Sequence, residues 1–280
     1  MNTVKKYLFI VQETEPFLEP SPFASLCREL VPKSMERGAE ARTFMPKWGV
    51  INDRRNQLHE VIRLSGQNII IDRTDHNLLI KVASIPSTRA QVYFIDNDEY
   101  FGKRGFYSDA KGVEYKDNAE RATFFARGVV ETIKKWGWMP DIVHCVGWIT
   151  AMMPFYIRKA FATEPAFRDC KIVYTPSGIP FKANMPKNLV GILSHRGATM
   201  DALSKVELCT MAEFERIGVF FSDVVAPFVD SPELLAFAGK HKKNIMPQPA
   251  DGENWAEHCI AYMKNVWEEA HPEKSDDDDL

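Results

Sequence analysis

Apolar residues occur along the chain in short runs that alternate with stretches of helical spacing. Tyr7–Gln12 is an apolar run that follows two lysines, which is typical of a buried parallel strand. Phe23–Arg37 carries apolar side chains three and four residues apart, the spacing of an amphipathic helix, and Gly38 follows as a helix-ending residue. Glu40–Phe44 predicts a second short strand, so the chain opens with a β-α-β unit.

The pattern changes between Leu58 and Asp96, where short runs rich in β-forming residues are separated by polar turns. Strands are predicted over Val61–Leu64, Asn68–Asp72, Leu78–Ser84 and Gln91–Asp96. Close spacing of this kind favours β-hairpins, so a hairpin insertion is expected inside the α/β scheme.

Helical and strand patterns alternate again over the remaining residues. Helices are predicted over Asn118–Trp136, Ile149–Phe161 and Trp255–Ala270, with one helix or two over Met200–Gly218. Strands are predicted over Asp141–Cys145, Lys171–Thr175 and Asp223–Ala226. The alternation predicts an α/β fold with a mostly parallel sheet, in one Rossmann-like domain over residues 1–270. Residues 271–280 are interpreted as an acidic, disordered tail.

Composition and charge narrow the class of protein. A net charge of -3 with 26% charged residues is ordinary for a globular protein and gives no basic face for a nucleic acid. No apolar stretch approaches a membrane span. The five cysteines are odd in number and widely spaced, so reduced thiols in a cytoplasmic protein are expected, without a metal site or a cofactor.

One series of residues is more distinctive than an α/β fold requires. The series begins at the end of a predicted strand with Asp96–Phe101, an acidic segment that contains Tyr100. Gly105–Tyr107 follows, and Tyr115–Arg121 leads into a predicted helix. The series resembles the first domain of bacterial glycogen and starch synthases, glycosyltransferase family 5. Weaker matches to that family are Pro46–Gly49, Pro140–His144 with Gly147-Trp148, and Phe220–Ala226, and the resemblance spans roughly residues 5–235.

The resemblance implies the two-domain, GT-B type of glycosyltransferase fold. In this family glucose passes from a nucleotide sugar, ADP-glucose, to a growing α-1,4-glucan, in a cleft between two Rossmann-type domains. The second domain carries most of the nucleotide site. Since only residues 236–280 follow the matching region, the chain is expected to lack that domain.

Several cleft positions of the family are changed in this sequence. The family opens with Lys-x-Gly-Gly-Leu, and here Glu19 stands at the lysine, with prolines beside it that lack N–H groups. Ser25 replaces an aspartate, Ile149 replaces the histidine of Asp-Trp-His, and Pro176 falls within the family's Val-His-Asn. Each change removes polarity or positive charge, so no catalytic residue is assigned.

Other family positions persist and are the candidate substrate-binding residues: Tyr100, Tyr107, Asn118, Arg121, His144 and Trp148. A tyrosine ring suits the C–H face of a sugar, but it also suits loop packing. Asn118 is equally explained as a helix N-cap, and Trp148 as core. His144 is expected to end a strand at the edge where ligands of open α/β sheets bind.

Three functions therefore remain open. The first is a glucan-binding or regulatory protein of glycogen biosynthesis that has lost catalysis. The second is a synthase subunit completed by a protein partner or by a homodimer. The third is a scaffold with no ligand. The expected ligands are an α-glucan or a nucleotide sugar, and the apolar side of the Trp255–Ala270 helix is expected to pack where the linker to a second domain would begin.

Overall fold

The computed structural model describes residues 3–86, 88 and 90–272. The strands are β1 (Lys6–Val11), β2 (Glu40–Pro46), β3 (His59–Glu60), β4 (Gln67–Ile71), β5 (Thr74–Ser84), β6 (Gln91–Asp96), β7 (Ile142–Val146), β8 (Lys171–Thr175), β9 (Val224–Val225) and β10 (Asn244–Ile245). The helices are α1 (Pro22–Glu36), α2 (Asn118–Trp136), α3 (Met152–Lys159), α4 (Leu189–Leu193), α5 (Glu215–Phe221), α6 (Pro232–Lys240) and α7 (Trp255–Ala270).

The strands form a sheet in the order β10-β9-β8-β7-β1-β2-β6-β5-β3, with β4 paired to β5. Pairing is parallel from β10 to β6 and antiparallel where β5 meets β6, β3 and β4. The predicted α/β fold, mostly parallel with a β-hairpin insertion, is confirmed. Its central strands read as continuous apolar runs because helices cover both of their faces.

The handedness of the crossovers divides the helices between the two faces. The chain moves from β1 to β2 in one direction, then returns through α2 past β1 to β7 and on to β8. Because parallel crossovers are right-handed, the reversal places α1 on the face opposite to α2 and α3. The parallel strands β1, β2, β6, β7, β8, β9 and β10 direct their carboxyl ends to one edge, and a ligand of such a sheet binds at that edge, near the reversal.

Helix α2 has the bounds that its sequence predicts. Its buried side includes Phe124, Phe125 and Val129. Gly137 ends the helix in the left-handed conformation, at φ 68°, and its N–H group donates to the carbonyls of Ile133 and Lys134. Glycine adopts this conformation without steric cost, which is why the helix ends there.

The structure differs from the prediction in three segments, wholly in the first and in part in the other two. Val61–Leu64 forms a turn, with the N–H group of Leu64 donating to the carbonyl of Val61, and not a strand. Ile149–Phe161 begins as a 3-10 turn and becomes helical only in α3. Met200–Gly218 is a series of short 3-10 turns before α5, because Glu207 adopts φ 57° and interrupts any helix.

The final helix packs on the body of the protein, as its apolar side predicts. Helix α7 contacts α1, where Glu257 pairs with Lys33. At its first residue, the indole N–H of Trp255 donates to the carbonyl of Pro227 at 3.1 Å. The predicted acidic tail lies outside the described residues from residue 273 onward, and in the described part no helix has the length and apolarity to cross a membrane.

Candidate functional site

The candidate site lies along the carboxyl edge of the parallel strands. The loops that follow β1, β6, β7 and β8 meet there, and they contain most of the residues that the sequence points to. Among the described residues, no group of histidine, cysteine and carboxylate side chains is arranged to hold a metal ion.

The loop after β6 is anchored by a buried arginine. Arg121 is fully buried, and its guanidinium donates to the carbonyls of Tyr100 (3.0 Å), Gly105 (2.7 Å) and Phe106 (2.7 Å). Burial lowers the pKa of Arg121 to about 10, which leaves the side chain charged at neutral pH. In the described structure this charge faces the loop backbone and not an open cleft.

Asn118 and Tyr100 belong to the same internal framework. Asn118 was predicted to be the N-cap of α2, and this prediction is wrong. Asp117 occupies the cap position, and Asn118 is the first residue of the helix. Its Nδ2 donates to the carbonyl of Tyr107 at 2.8 Å. Tyr100 is 1% exposed, and its hydroxyl lies 3.0 Å from His76 Nε2. A role for these two residues in substrate binding stays a prediction, while the contacts show them supporting the loop.

Tyr107 is half-buried and begins a row of aromatic rings. Its ring meets that of Phe181 edge-on at a centroid distance of 5.4 Å, and Phe181 meets Trp148 at 5.3 Å. Trp148 is fully buried and forms the inner end of the row. The row joins the loops after β6, β7 and β8, and Tyr107 is the member that reaches solvent.

Two carboxylates, absent from the sequence predictions, fix the segment after β8. Glu215 is buried and accepts from the Tyr174 hydroxyl (2.8 Å) and from the Ser177 N–H (2.7 Å), Ser177 Oγ (3.0 Å) and Gly178 N–H (3.0 Å). Burial raises the pKa of Glu215, and these hydrogen bonds oppose the shift. Glu114 accepts from the next part of the segment, through the N–H groups of Lys182 and Ala183. Pro176, the changed family position, is buried at the start of this segment.

The loop after β1 places a carboxylate at the N-terminus of α1. Ser21 is the N-cap, and its Oγ accepts from the Ala24 N–H at 2.9 Å and donates to Glu13 Oε2 at 2.7 Å. Glu13 is only 6% exposed, and Gln12 Nε2 donates to its other oxygen at 2.7 Å. Pro22 supplies no N–H group at the first helical position.

The two other changed positions of this region, Glu19 on the loop and Ser25 in the first turn of α1, have separate environments. Ser25 donates to Glu15 at 2.5 Å, and Arg28 pairs with the same carboxylate at 3.0 Å. The hydrogen bond from Ser25 and the charge of Arg28 hold the pKa of Glu15 below its usual range. Glu19 is exposed on the loop and lines a small cavity with Arg55.

The sequence resemblance aligns Gly147 with the aspartate of the family's Asp-Trp-His motif, and the structure shows why a glycine is present at this position. Its φ of 90° with ψ of 167° is a conformation nearly restricted to glycine. A Cβ atom there would lie 2.1 Å from Gln12 Oε1. Gln12 therefore fills the space that a side chain at position 147 would need. Ile149, aligned with the histidine of the same motif, is fully buried.

His144 was predicted to end a strand at the sheet edge, and this placement is wrong. The strand continues to Val146, so His144 lies in its middle and is fully buried. Its Nε2 lies 2.8 Å from Thr175 Oγ1 on β8. Burial lowers the pKa of His144 to about 3, so the imidazole is neutral at physiological pH. Its contacts are those of a core residue.

Comparison with known proteins identifies the family. The family model described as the starch synthase catalytic domain matches residues 6–228, so the chain belongs to this family. It is similar to a glycogen synthase of Pelodictyon phaeoclathratiforme, with 37% identity over 182 residues that cover 65% of this chain and 37% of the relative. A glycogen synthase of Chlorobium limicola is 34% identical over 208 residues, 71% of this chain and 42% of the relative.

The chain thus spans about two fifths of the length of the curated relatives it matches. A solved structure, the catalytic domain of starch synthase IV from Arabidopsis thaliana bound to ADP and acarbose, superposes with a TM-score of 0.65 at 16% identity. The superposition covers 94% of this chain and 50% of that one. It confirms the predicted fold, a Rossmann-like domain of the GT-B glycosyltransferase type.

Proposed function

We propose that this chain acts in α-glucan metabolism as a cytoplasmic glucan-binding member of its family, and that by itself it does not transfer glucose. The observation that carries the proposal is the Glu13 carboxylate at the N-terminus of α1. In this family the loop after β1 faces the phosphates of the sugar donor. In this chain the same loop carries the buried Glu13 carboxylate, which accepts from the helix N-cap Ser21.

The N-terminus of a helix binds phosphate through free N–H groups and a favourable dipole. In α1 the Ala24 N–H group is already bonded to Ser21, and Pro22 has none. Glu13 adds a buried negative charge, and Glu19 adds a second one on the exposed loop. A diphosphate near this helix terminus would be repelled by both carboxylates, and Glu19 is aligned with the lysine that the family presents there.

Tyr107 supports the glucan-binding part of the proposal. It presents a ring to solvent from a loop that Arg121 and Asn118 make rigid, and Phe181 supports the ring from behind. A fixed aromatic face binds the C–H surface of a sugar at little conformational cost. Cytoplasmic placement agrees with four buried cysteines that remain free thiols.

Calorimetric titration with maltoheptaose tests the proposal. The wild-type chain is expected to bind, and Tyr107→Ala should weaken that binding about tenfold, the upper range for loss of an aromatic contact. Tyr107→Phe is the matched control, which keeps the ring and should retain most of the affinity.

A transfer assay with ADP-glucose and maltoheptaose completes the experiment and should show no turnover. Turnover by the chain itself would overturn the proposal. Turnover that appears only when a second protein is added would favour a partner-dependent synthase. Absence of maltoheptaose binding would refute the glucan-binding role.

A further inference from the structure

A cavity of about 330 Å³ opens at the amino edge of the sheet, on the opposite side from the loops described above. It lies between the segments that lead into β7 and β8 and the last turn of α7. Its walls include Pro140 and Asp141 before β7, Pro165 and Asp169 before β8, and Trp267 and His271 on α7. The volume is at the lower end of the range for small-molecule sites, roughly 300–1,000 Å³.

One wall of the cavity is aromatic and fixed in place. The rings of Trp267 and His271 stack at a centroid distance of 4.4 Å with an interplanar angle of 22°. His271 Nδ1 lies 2.8 Å from the carbonyl of Trp267, which sets the orientation of the imidazole. Trp267 is half-buried, so part of the indole stays open to the cavity. Such a flat, rigid surface suits the C–H face of a pyranose.

Hydrogen-bond acceptors lie beside this aromatic wall. Asp141 Oδ2 accepts from the backbone N–H groups of Lys5 (2.7 Å) and Lys6 (2.9 Å), so the carboxylate is fixed. In the described part of the chain, Asp141 Oδ1 accepts no hydrogen bond, and neither does the exposed carboxylate of Asp169. Fixed carboxylate oxygens that lack donors are suited to hydroxyl groups of a ligand.

The lining also decides which ligands do not fit. Among the described residues, the lining contains two carboxylates and no lysine or arginine, so phosphates and nucleotides would be repelled. A neutral polyhydroxylated ring meets both requirements of the cavity, since it offers hydroxyl donors at its rim and C–H groups on its face. The volume suits one or two such rings.

We propose that this cavity is a second carbohydrate-binding site, which takes the end or a short stretch of an α-glucan against Trp267. This second site is separate from the Tyr107 site, because it opens at the opposite edge of the sheet. Its α7 wall also lies outside the residues 6–228 that match the family. The five residues of β7 separate the two edges by roughly 16 Å. A glucan polymer that engages both edges would bind more tightly than a short oligosaccharide, through effective concentration.

Calorimetric titration of the full chain with maltoheptaose tests the second site. Trp267→Ala should lower the affinity of this site by about three- to tenfold, with Tyr107→Ala acting independently at the cleft. Trp267→Phe should retain most of the binding. Lys264→Ala removes a half-buried side chain one turn away on α7, which pairs with Glu268 outside the cavity lining, and this matched control should leave maltoheptaose binding unchanged.

Asp169→Ala gives a second reading that does not depend on the stability of α7, because this exposed carboxylate makes no structural hydrogen bond among the described residues. It should weaken maltoheptaose binding severalfold. Unchanged affinity and stoichiometry in both Trp267→Ala and Asp169→Ala would overturn the second site, whatever Tyr107→Ala does. Choline serves as a cationic probe: if choline binds at Trp267 and maltoheptaose does not, the cavity is an ammonium site and the proposal is wrong.

Discussion

Replacement of Gly147 by alanine should destabilise the protein through two separate effects. The backbone conformation at φ 90° and ψ 167° costs about 1–3 kcal/mol for a residue with a Cβ atom. The new Cβ atom would also lie 2.1 Å from Gln12 Oε1, so the Gln12 side chain must move. That movement breaks the hydrogen bond from Gln12 Nε2 to the Glu13 carboxylate, which is worth about 1.5–3 kcal/mol. Together the two effects give a loss of about 2.5–6 kcal/mol.

Urea unfolding of four proteins separates these effects: wild type, Gly147→Ala, Gln12→Ser and the double variant. Serine is too short to reach the new Cβ atom, so the collision is absent in the Gln12→Ser background. There, Gly147→Ala should cost only the backbone strain, about 1–3 kcal/mol. A loss below about 1 kcal/mol in the wild-type background would show that neither the backbone strain nor the collision with Gln12 is present. Equal losses in the two backgrounds would show that Gln12 does not occupy the space beside position 147.

Three further predictions concern buried polar groups. Because burial lowers the pKa of His144 to about 3, the unfolded chain binds a proton that the folded chain refuses, so stability is lost as pH falls from about 6.5 to 3. The loss is roughly 2 kcal/mol at pH 5, and urea unfolding at pH 7 and 5 should show a smaller drop for His144→Gln; equal drops would contradict it. Arg121→Lys loses the forked bonds to the loop carbonyls and should cost about 2–4 kcal/mol in thermal unfolding, whereas an unchanged midpoint would argue against the anchoring role. Glu215→Gln turns an amide donor toward backbone N–H groups and should speed hydrogen exchange in residues 176–183; unchanged exchange would count against the clamp.

The central sheet and the longest helix followed directly from the sequence. Strands such as β1 and β8 are buried on both faces and therefore appear as apolar runs. Helix α2 combines an apolar stripe with a glycine directly after its last residue, so the sequence predicts both its length and where it ends. Tertiary contacts reinforce these local patterns and do not override them.

The region after β8 could not be read in the same way. Leu203, Val206, Met211 and Phe214 are spaced as on a helix, and all are buried. Successive 3-10 turns also bury residues about three positions apart, so the spacing of apolar residues does not distinguish an α-helix from a series of 3-10 turns. Glu207 in a left-handed conformation decides between them, and nothing in its residue type indicates that conformation.

The candidate site shows a similar division. The changed positions Glu19 and Ile149 were visible in the sequence because the family motif defines what stood there. Glu13 and Glu215 were not, because their roles depend on partners that approach only in the folded chain, such as Ser21 and Ser177. The prediction for His144 was wrong because β7 ends one residue later than predicted, at Val146. That single residue is enough to place His144 in the core and not at the edge of the sheet.

Calorimetric titration of ADP-glucose into the full chain, in the presence of saturating maltoheptaose, shows whether the chain binds and consumes a sugar donor. If Glu13 occupies the phosphate position at the N-terminus of α1, no saturable heat of donor binding and no release of ADP will be observed. Saturable binding of ADP-glucose accompanied by ADP release would contradict the account and would make this chain an active glucosyltransferase.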